Sequence, residues 1–294
     1  MPYRRIKTKN KIPALVKDHT PQKEILAQDL CFTIVDTETC GKWLGSRIVE
    51  IAYAKTCQGK IIESNSFLVN PHIEIPQETI EIHGITNKMV KNSPSIKEIL
   101  PELVKNWENT VLIAHNHKFD EAIISTEAAR HNLKISPLPI LDNIALAKYA
   151  LEEQESYSLY NLSHSLNLKT KNFHRAGSDV ETTNKLFNFF LEQLAIIKET
   201  NFGYLAEIGN LRYLTQSSTP LQNIPPRFAF LKLGVVTKSD VEIIYIKNNR
   251  ELTYPATLKH GFCLNRKNYI EIRDHRDNKI KTLRLDRIKD FLTL

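Results

Sequence analysis

Short apolar runs separated by polar turns fill the first part of the chain and predict β-strands. The runs at residues 30–35, 47–54 and 60–69 are rich in β-branched residues, and the stretches between them contain glycine. This spacing is typical of adjacent antiparallel strands. We therefore expect a three-stranded meander here.

Helical periodicity begins after residue 92 and alternates with short buried strands. Ser93 and Pro94 provide an N-cap and a first helical residue for an apolar stripe that includes Leu100 and Leu103. The segments predicted after this helix are a strand at 111–114, a helix to about 131, a strand and helix within 140–151, and helices at 159–166 and 179–197. Strands followed by this alternation predict an α/β fold with a mixed sheet flanked by helices.

The last third of the chain changes to short strands. Residues 204–226 contain several prolines and one helical piece at 204–214, which suggests a linker. Beyond residue 227 the predicted strands are 241–246, 252–257, 269–273 and 281–285, with turn signals at Asn248-Asn249 and Asp277-Asn278. We expect a basic arm at 1–29, an α/β domain at 30–203, a linker at 204–226 and a small β-barrel-like domain at 227–294.

The charge distribution separates these parts. Residues 1–29 hold 7 Lys and Arg against 3 Asp and Glu, residues 30–203 hold 17 against 21, and residues 204–294 hold 16 against 9. An acidic middle with basic flanks fits a metal centre whose surroundings bind a polyanion, but basic surfaces also serve solubility alone. No apolar run approaches the ~18 residues of a membrane span, and the N-terminus lacks an apolar signal core, so we expect neither membrane insertion nor secretion.

Four cysteines stand in the sequence without a C-x-x-C spacing. They are Cys31, Cys40, Cys57 and Cys263. We interpret them as reduced thiols of a cytoplasmic protein and expect neither disulfides nor zinc ligands.

The first apolar run ends in two acids. Asp36 and Glu38 are two positions apart, so in an extended chain they point to the same face. Two carboxylates held this close repel each other unless a proton or a cation lies between them, and Mg²⁺ or Mn²⁺ is the cation that oxygen ligands favour. The alternative is a surface turn with two solvated acids.

Two further acids, Asp120 and Asp179, stand at predicted strand-to-helix junctions, and His174 precedes Asp179 by five residues. With these residues the sequence resembles the DEDDh-type 3′–5′ exonucleases of the DnaQ-like, RNase H-like superfamily. The matching segments are Val35-Asp36-Thr37-Glu38-Thr39, Ala114-His115-Asn116-His117-Lys118-Phe119-Asp120, His174-Arg175-Ala176-Gly177-Ser178-Asp179 and Ile82-His83-Gly84-Ile85-Thr86. The resemblance covers residues 30–197.

The resemblance implies a two-metal mechanism for hydrolysing nucleic acid from its 3′ end, with Mg²⁺ or Mn²⁺ as the ions. Asp36 would bridge the two ions, Glu38 and Asp179 would complete one shell, and Asp120 would serve the other ion. His174 would act as the general base. Taken singly, each acid at a helix start is also explained by the helix dipole, and His174 by a surface position.

The resemblance also implies contacts to the terminal nucleotide. Thr37 and its neighbours would cradle the nucleotide, Ile85 would wedge against the last base and Phe119 would stack on one. Core packing is the alternative for Ile85 and Phe119. The full set of implied substrate-binding residues is Thr37, Thr39, His83, Ile85, Thr86, Asn116 and Phe119. We interpret Glu63, Glu121, Asp142 and His115 as structural, and leave His117 open.

The last domain resembles the WYL domain, a small β-barrel, with Asn268-Tyr269-Ile270 at the position of the Trp-Tyr-Leu motif. If the resemblance holds, the candidate contacts to nucleic acid or a nucleotide are Tyr245, Arg273, Arg284 and Arg287. A basic scaffold or a protein-docking module is the alternative.

Three functions follow from this sequence. The first is a metal-dependent 3′–5′ exonuclease that releases nucleoside 5′-monophosphates and prefers single strands. The second is a non-catalytic regulator that binds nucleic acid, against which stands the complete set of catalytic residue types. The third is a proofreading or docking subunit of a polymerase assembly. The sequence does not separate DNA from RNA as the substrate.

Overall fold

The apolar runs form two separate β-sheets, and helices cover both faces of the first. The computed structural model describes residues 15–16, 19–43, 45–151, 153–168, 173–197, 200–215, 219–264 and 266–293. Residues 1–14 and 17–18 of the predicted arm and residues 216–218 of the predicted linker lie outside these ranges.

The strands and helices have the following bounds. The strands are β1 (Leu15–Val16), β2 (Thr20–Pro21), β3 (Cys31–Thr39), β4 (Ile48–Cys57), β5 (Lys60–Leu68), β6 (Val111–Ala114), β7 (Leu138–Asp142), β8 (Arg212–Leu214), β9 (Thr219–Pro220), β10 (Asp240–Lys247), β11 (Arg250–Leu264), β12 (Lys267–Asp274), β13 (Ile280–Arg284) and β14 (Ile288–Thr293). The helices are α1 (Gln77–His83), α2 (Asn87–Val90), α3 (Ile96–Trp107), α4 (His117–Arg130), α5 (Asn143–Ala150), α6 (Leu159–Ser165), α7 (Ala176–Ile197), α8 (Phe202–Ile208) and α9 (Leu231–Thr237).

The first sheet has six strands in the order β5-β4-β3-β6-β7-β8. The predicted meander forms its antiparallel part, while β6 and β7 run parallel to β3 and β8 returns antiparallel. Because β3 is covered on both faces, its apolar residues form a continuous run instead of an alternating one. The α/β class with a mixed, helix-flanked sheet is thereby confirmed.

The two faces of β3 pack against different helices. Ile34 lies in a buried cluster with Phe187 and Phe190 of α7. Val35 lies in the opposite cluster with Trp107 of α3 and Ile123 of α4. Since side chains alternate along a strand, even-numbered residues of β3 face α7 and odd-numbered residues face α3 and α4.

The second sheet is antiparallel and separate from the first. Its order is β13-β12-β11-β10-β14, and β9 pairs with β11. Its core contains alternating residues of neighbouring strands, including Val241 and Ile243 of β10 and Ile270 and Ile272 of β12. The predicted strands correspond to β10 through β13, and the sequence analysis missed β14. A separate C-terminal β structure is confirmed.

Two local predictions were wrong. The first long helix takes Ser95 as its N-cap instead of Ser93, because the Glu98 carboxylate accepts hydrogen bonds from both the backbone and the hydroxyl of Ser95, at 2.6 and 2.7 Å. Such a capping box satisfies polar groups at the helix start. The single helical piece predicted at 204–214 ends at Ile208, because Asn210 has a left-handed backbone (φ 52°), and Arg212–Leu214 instead forms the sixth strand of the first sheet.

The prediction that all four cysteines are reduced was also wrong. Cys31 and Cys57 are directly opposite each other on β3 and β4, with Cα atoms 4.4 Å apart, and form a disulfide bond. A disulfide depends on proximity in the folded sheet, which C-x-x-C spacing does not report. Cys40 and Cys263 are free and buried. The bond removes two thiols from the argument for a reducing compartment, so the cytoplasmic location stays a prediction.

The two sheets meet through packing and buried ion pairs. Ala122 of α4 packs with Phe262 and Leu264 of β11. The Glu271 carboxylate on β12 accepts hydrogen bonds from Arg47 and from Arg130, both at 2.8 Å. No helix among the described residues has the length and apolarity needed to cross a bilayer.

Candidate active site

Asp36 and Glu38 lie side by side near the end of β3. Both are even-numbered residues of the strand, so both point toward α7. Together with Asp179 they offer carboxylate oxygens that all lie within 4.8 Å of one another. The structure therefore brings together three acids that are separated by up to 143 residues of sequence, which is the distance from Asp36 to Asp179.

Asp179 belongs to the first turn of α7 and is 8% exposed. Its Oδ2 accepts a hydrogen bond from the backbone N–H of His174 at 3.1 Å. Its Oδ1 is buried and has no hydrogen-bond partner among the described residues. A buried carboxylate oxygen without a donor is costly, which leaves it suited to a cation.

Asp120 approaches from the other face of the sheet. It lies in the first turn of α4, is 3% exposed, and its Oδ1 accepts a hydrogen bond from the Thr37 hydroxyl at 2.7 Å. Thr37 is odd-numbered and points to α4, opposite to Asp36. Asp120 still raises the pKa of Asp36 by charge repulsion, so its carboxylate belongs to the same electrostatic site.

Burial raises the pKa of every acid in this group, and repulsion within the group adds to it for Asp36 and Glu38. Burial, followed by repulsion from Asp120 and Glu38, raises the pKa of Asp36 well above its ordinary value. Burial and repulsion from Asp179 raise the pKa of Glu38 to about 8. Burial raises the pKa of Asp120 to about 7 and that of Asp179 to about 6. The cluster carries unbalanced negative charge, and a cation would relieve it.

A fifth buried acid, Glu50, lies opposite Glu38 on β4, and the sequence analysis missed it. Glu50 accepts two hydrogen bonds from Arg175, at 3.0 and 2.9 Å, and one from the backbone N–H of Ala176 at 3.0 Å. Burial raises the pKa of Glu50, but these donors together with Ser66 outweigh burial and lower it. Glu50 therefore fixes the start of α7 against β4. Its signal in the sequence is a lone charge within the apolar run of β4.

His174, the predicted general base, lies two residues before the start of α7. Its side chain is exposed and its backbone is left-handed, with φ of 60°. Its backbone N–H contacts Asp179, so the two predicted catalytic residues are adjacent.

Several predicted substrate contacts have other partners in the structure. Besides the Thr37 bond to Asp120, the Thr39 hydroxyl donates to the Gly41 carbonyl at 2.6 Å. Ile85 is fully buried in a cluster with Val49 and Ile75, which favours the core alternative for it. The roles of Thr37, Thr39 and Ile85 in substrate binding stay predictions.

His83 and Thr86 flank Ile85. The His83 Nδ1 accepts a hydrogen bond from the Ile85 N–H at 3.0 Å, while its Nε2 is buried without a partner among the described residues. Thr86 is the N-cap of α2. Both residues hold the turn that carries Ile85.

The second predicted motif lies between β6 and α4. Asn116 is exposed and left-handed, with φ of 76°, and its backbone N–H donates to Asp142 at 3.2 Å. Phe119 is half-buried and packs against the core cluster beside α4. His115 and His117 both bond backbone carbonyls, of Tyr157 and Asn210, which supports a structural role for each.

The C-terminal candidates divide into two groups. Tyr245, Arg273 and Arg284 line a cleft between the two sheets. Arg287 is exposed on the 3-10 turn Leu285–Arg287. The structure thus gathers three of the four residues at one surface.

A mixed sheet that presents paired carboxylates on its central strand, with further acids on helices that cover both faces, is the arrangement of the exonuclease fold. The chain belongs to the exonuclease family, because the sequence model of that family, RNase_T, described as Exonuclease, matches residues 33–187.

Relatives of known name share this part of the chain. A DNA polymerase III PolC-type from Thermotoga petrophila is 33% identical over 204 residues, which are 67% of this chain and 15% of the relative. The 3′-5′ exonuclease DinG of Bacillus subtilis is 31% identical over 165 residues, which are 55% of this chain and 18% of the relative. The chain thus spans less than a fifth of the length of these relatives.

Among solved structures, E. coli Exonuclease I in complex with a dT13 oligonucleotide matches with a TM-score of 0.52 at 15% identity. The match covers 88% of this chain and 64% of that chain. This likeness concerns the fold.

Proposed function

We propose that the protein is a 3′–5′ exonuclease, dependent on Mg²⁺ or Mn²⁺, that hydrolyses nucleic acid from the 3′ end and releases nucleoside 5′-monophosphates. The observation that carries this proposal is the convergence of Asp36, Glu38 and Asp179 within 4.8 Å, with Asp120 buried beside them. Family membership supports the same chemistry.

The residues present fit divalent cations. The unpaired buried Oδ1 of Asp179 and the raised pKa of Glu38 and Asp120 both call for positive charge at this point. An all-oxygen donor set is the one that Mg²⁺ and Mn²⁺ prefer. Asp36, Glu38 and Asp179 would hold one ion, and Asp36 with Asp120 a second. Such a pair, when bound, neutralises the phosphate and lowers the pKa of the attacking water.

The protein's own groups supply the remaining chemistry. His174 is exposed beside Asp179, so its imidazole is free to take the proton of the attacking water. The start of α7, a helix of 22 residues, lies at the same point and favours an anionic substrate through its dipole. Glu50 and Arg175 keep this helix start in place.

The experiment is digestion of a single strand labelled at either end, with Mg²⁺ or Mn²⁺ present. A 3′ label should be released at once as a mononucleotide, whereas a 5′ label should appear in a ladder of shortening strands. Chelation with EDTA and the Asp36→Asn variant should each abolish product.

Glu81→Gln is the matched control, since Glu81 is an exposed acid on α1 outside the carboxylate group. It should cut at the wild-type rate. Release of the 5′ label first, internal cuts only, or undiminished activity of Asp36→Asn would each refute the proposal. Strand binding without cleavage under any metal would favour the non-catalytic regulator instead.

A second candidate is a proofreading exonuclease that acts with a DNA polymerase. The observation in its favour is that relatives of the matched region are PolC-type polymerases. A proofreading enzyme should remove a mismatched primer end more than about tenfold faster than a paired one, because unpairing a matched end adds a few kcal/mol to the barrier of each cut and about 1.4 kcal/mol is tenfold in rate. Equal rates on both ends, or a preference for RNA, would argue against it.

The organisation and location of the chain complete the proposal. We keep the division into an arm at 1–29, an exonuclease domain at 30–203, a linker at 204–226 and a WYL-like domain at 227–294, with the amendment that β8 joins the exonuclease sheet. The antiparallel C-terminal sheet is compatible with a WYL-like unit but does not single it out. A cytoplasmic location and a protein partner for this unit belong to the same proposal.

A further inference from the structure

A large cleft separates the two sheets. Its volume is about 1130 Å³, above the roughly 300–1,000 Å³ of small-molecule sites. The exonuclease part contributes the segment after β3, including Cys40 and Trp43, and the C-terminal sheet contributes residues of β10, β12 and β13. Cys40 follows Glu38 by two residues, which is about 7 Å of extended chain. The cleft therefore begins close to the acids of the candidate active site.

A ladder of stacked rings leads into this cleft. The Arg130 guanidinium lies over Phe262 at 5.1 Å, Phe262 stacks on Tyr269 with ring centroids 5.5 Å apart, and Tyr269 contacts Trp43 at 5.9 Å. The ladder starts in the buried interface and ends at Trp43, which is 39% exposed. A Cβ at Gly45 would overlap the Trp43 ring, so glycine at this position lets the indole lie against the backbone.

Positive charge borders the exposed end of the ladder. The Arg273 guanidinium donates to Asn278, a neutral residue, at 3.1 Å. Lys91 is exposed on the opposite wall. The acids that line the cleft all have basic partners: Glu271 pairs with Arg47 and Arg130, Glu74 with Lys279, and Asp277 with Lys281. The cleft therefore combines the exposed ring of Trp43 with Arg273, a cation whose hydrogen-bond partner is neutral.

From this geometry we propose that the cleft holds a single strand of nucleic acid upstream of the scissile 3′ end, with a base stacked on Trp43 and a phosphate paired with Arg273. Stacking on aromatic faces beside a cationic track is how single strands bind without sequence preference. The inference rests on the proposed function, because it assigns the path of the substrate strand between the candidate active site and the C-terminal sheet.

The test is fluorescence anisotropy with labelled oligothymidylates of about 4 and about 16 nucleotides, which span the site sizes of single-strand folds. All proteins carry Asp36→Asn so that the strands stay intact. Trp43→Ala should weaken binding of the long strand about tenfold and that of the short strand less than about twofold, while Trp43→Phe keeps most of the affinity. Arg273→Ala should weaken the long strand and reduce the slope of log Kd against log salt concentration by about 0.7.

Arg250→Ala is the matched control, since Arg250 is an exposed arginine at the start of β11, outside the cleft, and its loss should leave both affinities unchanged. Unchanged binding of the long strand in Trp43→Ala and Arg273→Ala, or equal losses for both strand lengths, overturns the assignment and would fit a cleft for protein instead. Because the assay needs no cleavage, its failure is distinct from that of the proposed function. A wild-type protein without nuclease activity but with Trp43-dependent binding would reject the proposed function alone.

Discussion

At the scale of single residues, the acids of the site are held in a state that a cation would relieve. The pKa of Asp179 is raised to about 6, that of Asp120 to about 7 and that of Glu38 to about 8. Each value exceeds that of the unfolded chain, so the neutral forms stabilise the fold at low pH. This contribution is lost as pH rises through about 6 to 8.

We therefore expect thermal stability in EDTA to fall between about pH 5 and pH 9, and Mg²⁺ or Mn²⁺ to restore it increasingly toward the alkaline end. The measurement is the melting temperature across this range with and without the ion. The double variant Asp36→Asn, Glu38→Gln should show a flatter profile and a smaller gain from the ion. A variant profile parallel to the wild type would contradict this electrostatic explanation.

Thr37 gives a second prediction at this scale. Its hydroxyl donates to Asp120 at 2.7 Å, so we expect Thr37→Val to lower kcat about tenfold while KM changes little, because Asp120 loses the bond that orients it. Thr37→Ser keeps the hydroxyl and should retain most of the activity. Steady-state kinetics on a single strand would separate this role from substrate contact, which would instead raise KM in Thr37→Val.

The sequence motifs predicted that Asp36, Glu38 and Asp179 lie together, as the structure shows, because a motif preserves order and spacing. The catalytic roles of these residues, of Asp120 and of His174 stay predictions. The sequence did not identify Glu50, whose importance arises from its position opposite Glu38 across two strands. Nor did it reveal that the Thr37 and Thr39 hydroxyls are already bonded within the protein. Such pairings depend on strand register, which a linear pattern does not report.

At the scale of elements, the geometry of the candidate active site depends most on where α7 begins. The start of this helix carries Asp179 and follows His174, and Arg175 ties it to Glu50 on β4. This ion pair holds the first residues of α7 against β4, and so fixes the position of Asp179 relative to Asp36 and Glu38 on β3.

We expect Arg175→Ala to lower activity by about tenfold or more and to reduce the free energy of unfolding by roughly 1–3 kcal/mol, because the buried Glu50 loses its charged donor. Because Arg175 itself is partly exposed, solvent screens part of its interaction with Glu50. Urea unfolding and initial rates are the measurements. Arg175→Lys retains the charge but loses the two parallel hydrogen bonds to Glu50. Its activity and its free energy of unfolding should lie between those of the wild type and of Arg175→Ala. Wild-type rates in Arg175→Ala would exclude a positioning role for this pair.

Element types were predictable where apolar runs were long, and boundaries were not. The capping box moved the start of α3 to Ile96, and the left-handed Asn210 split one expected helix into α8 and β8. The helix start depends on which of several polar side chains bonds the backbone, and the helix end depends on the backbone conformation of a single residue. Both are determined only in the folded chain.

At the scale of the whole molecule, a buried ion network joins the two sheets. Arg47 and Arg130 of the exonuclease part both donate to Glu271, whose side chain is 2% exposed. Arg130 also donates to the Gly45 carbonyl and to Glu127. Burial raises the pKa of Glu127, but the charge of Arg130, the hydrogen bond with His131 and the charge of Arg47 outweigh burial and lower this pKa to about 2. The partners are 141 and 224 residues apart in sequence, so no local pattern predicts them.

We expect Glu271→Gln to reduce the free energy of unfolding by about 3 kcal/mol, because two buried guanidinium groups lose one of the two carboxylates that they share and keep only Glu127. Chemical denaturation would measure it, and limited proteolysis between the sheets should become faster. Glu251→Gln, which breaks an exposed pair with Lys289 in the same sheet, should change stability by less than about 1 kcal/mol. Equal effects of the two substitutions would show that the interface does not depend on Glu271.

The shared carboxylate has a practical consequence for anyone who shortens the chain. A fragment that stops near residue 215 would keep Arg47, Arg130 and Glu127 but lose Glu271, leaving two cations with a single carboxylate between them on a newly exposed apolar surface. Such a fragment would bind polyanions without specificity. Its affinity for a nucleic acid would reflect the positive charge exposed by the truncation instead of the natural path of the strand.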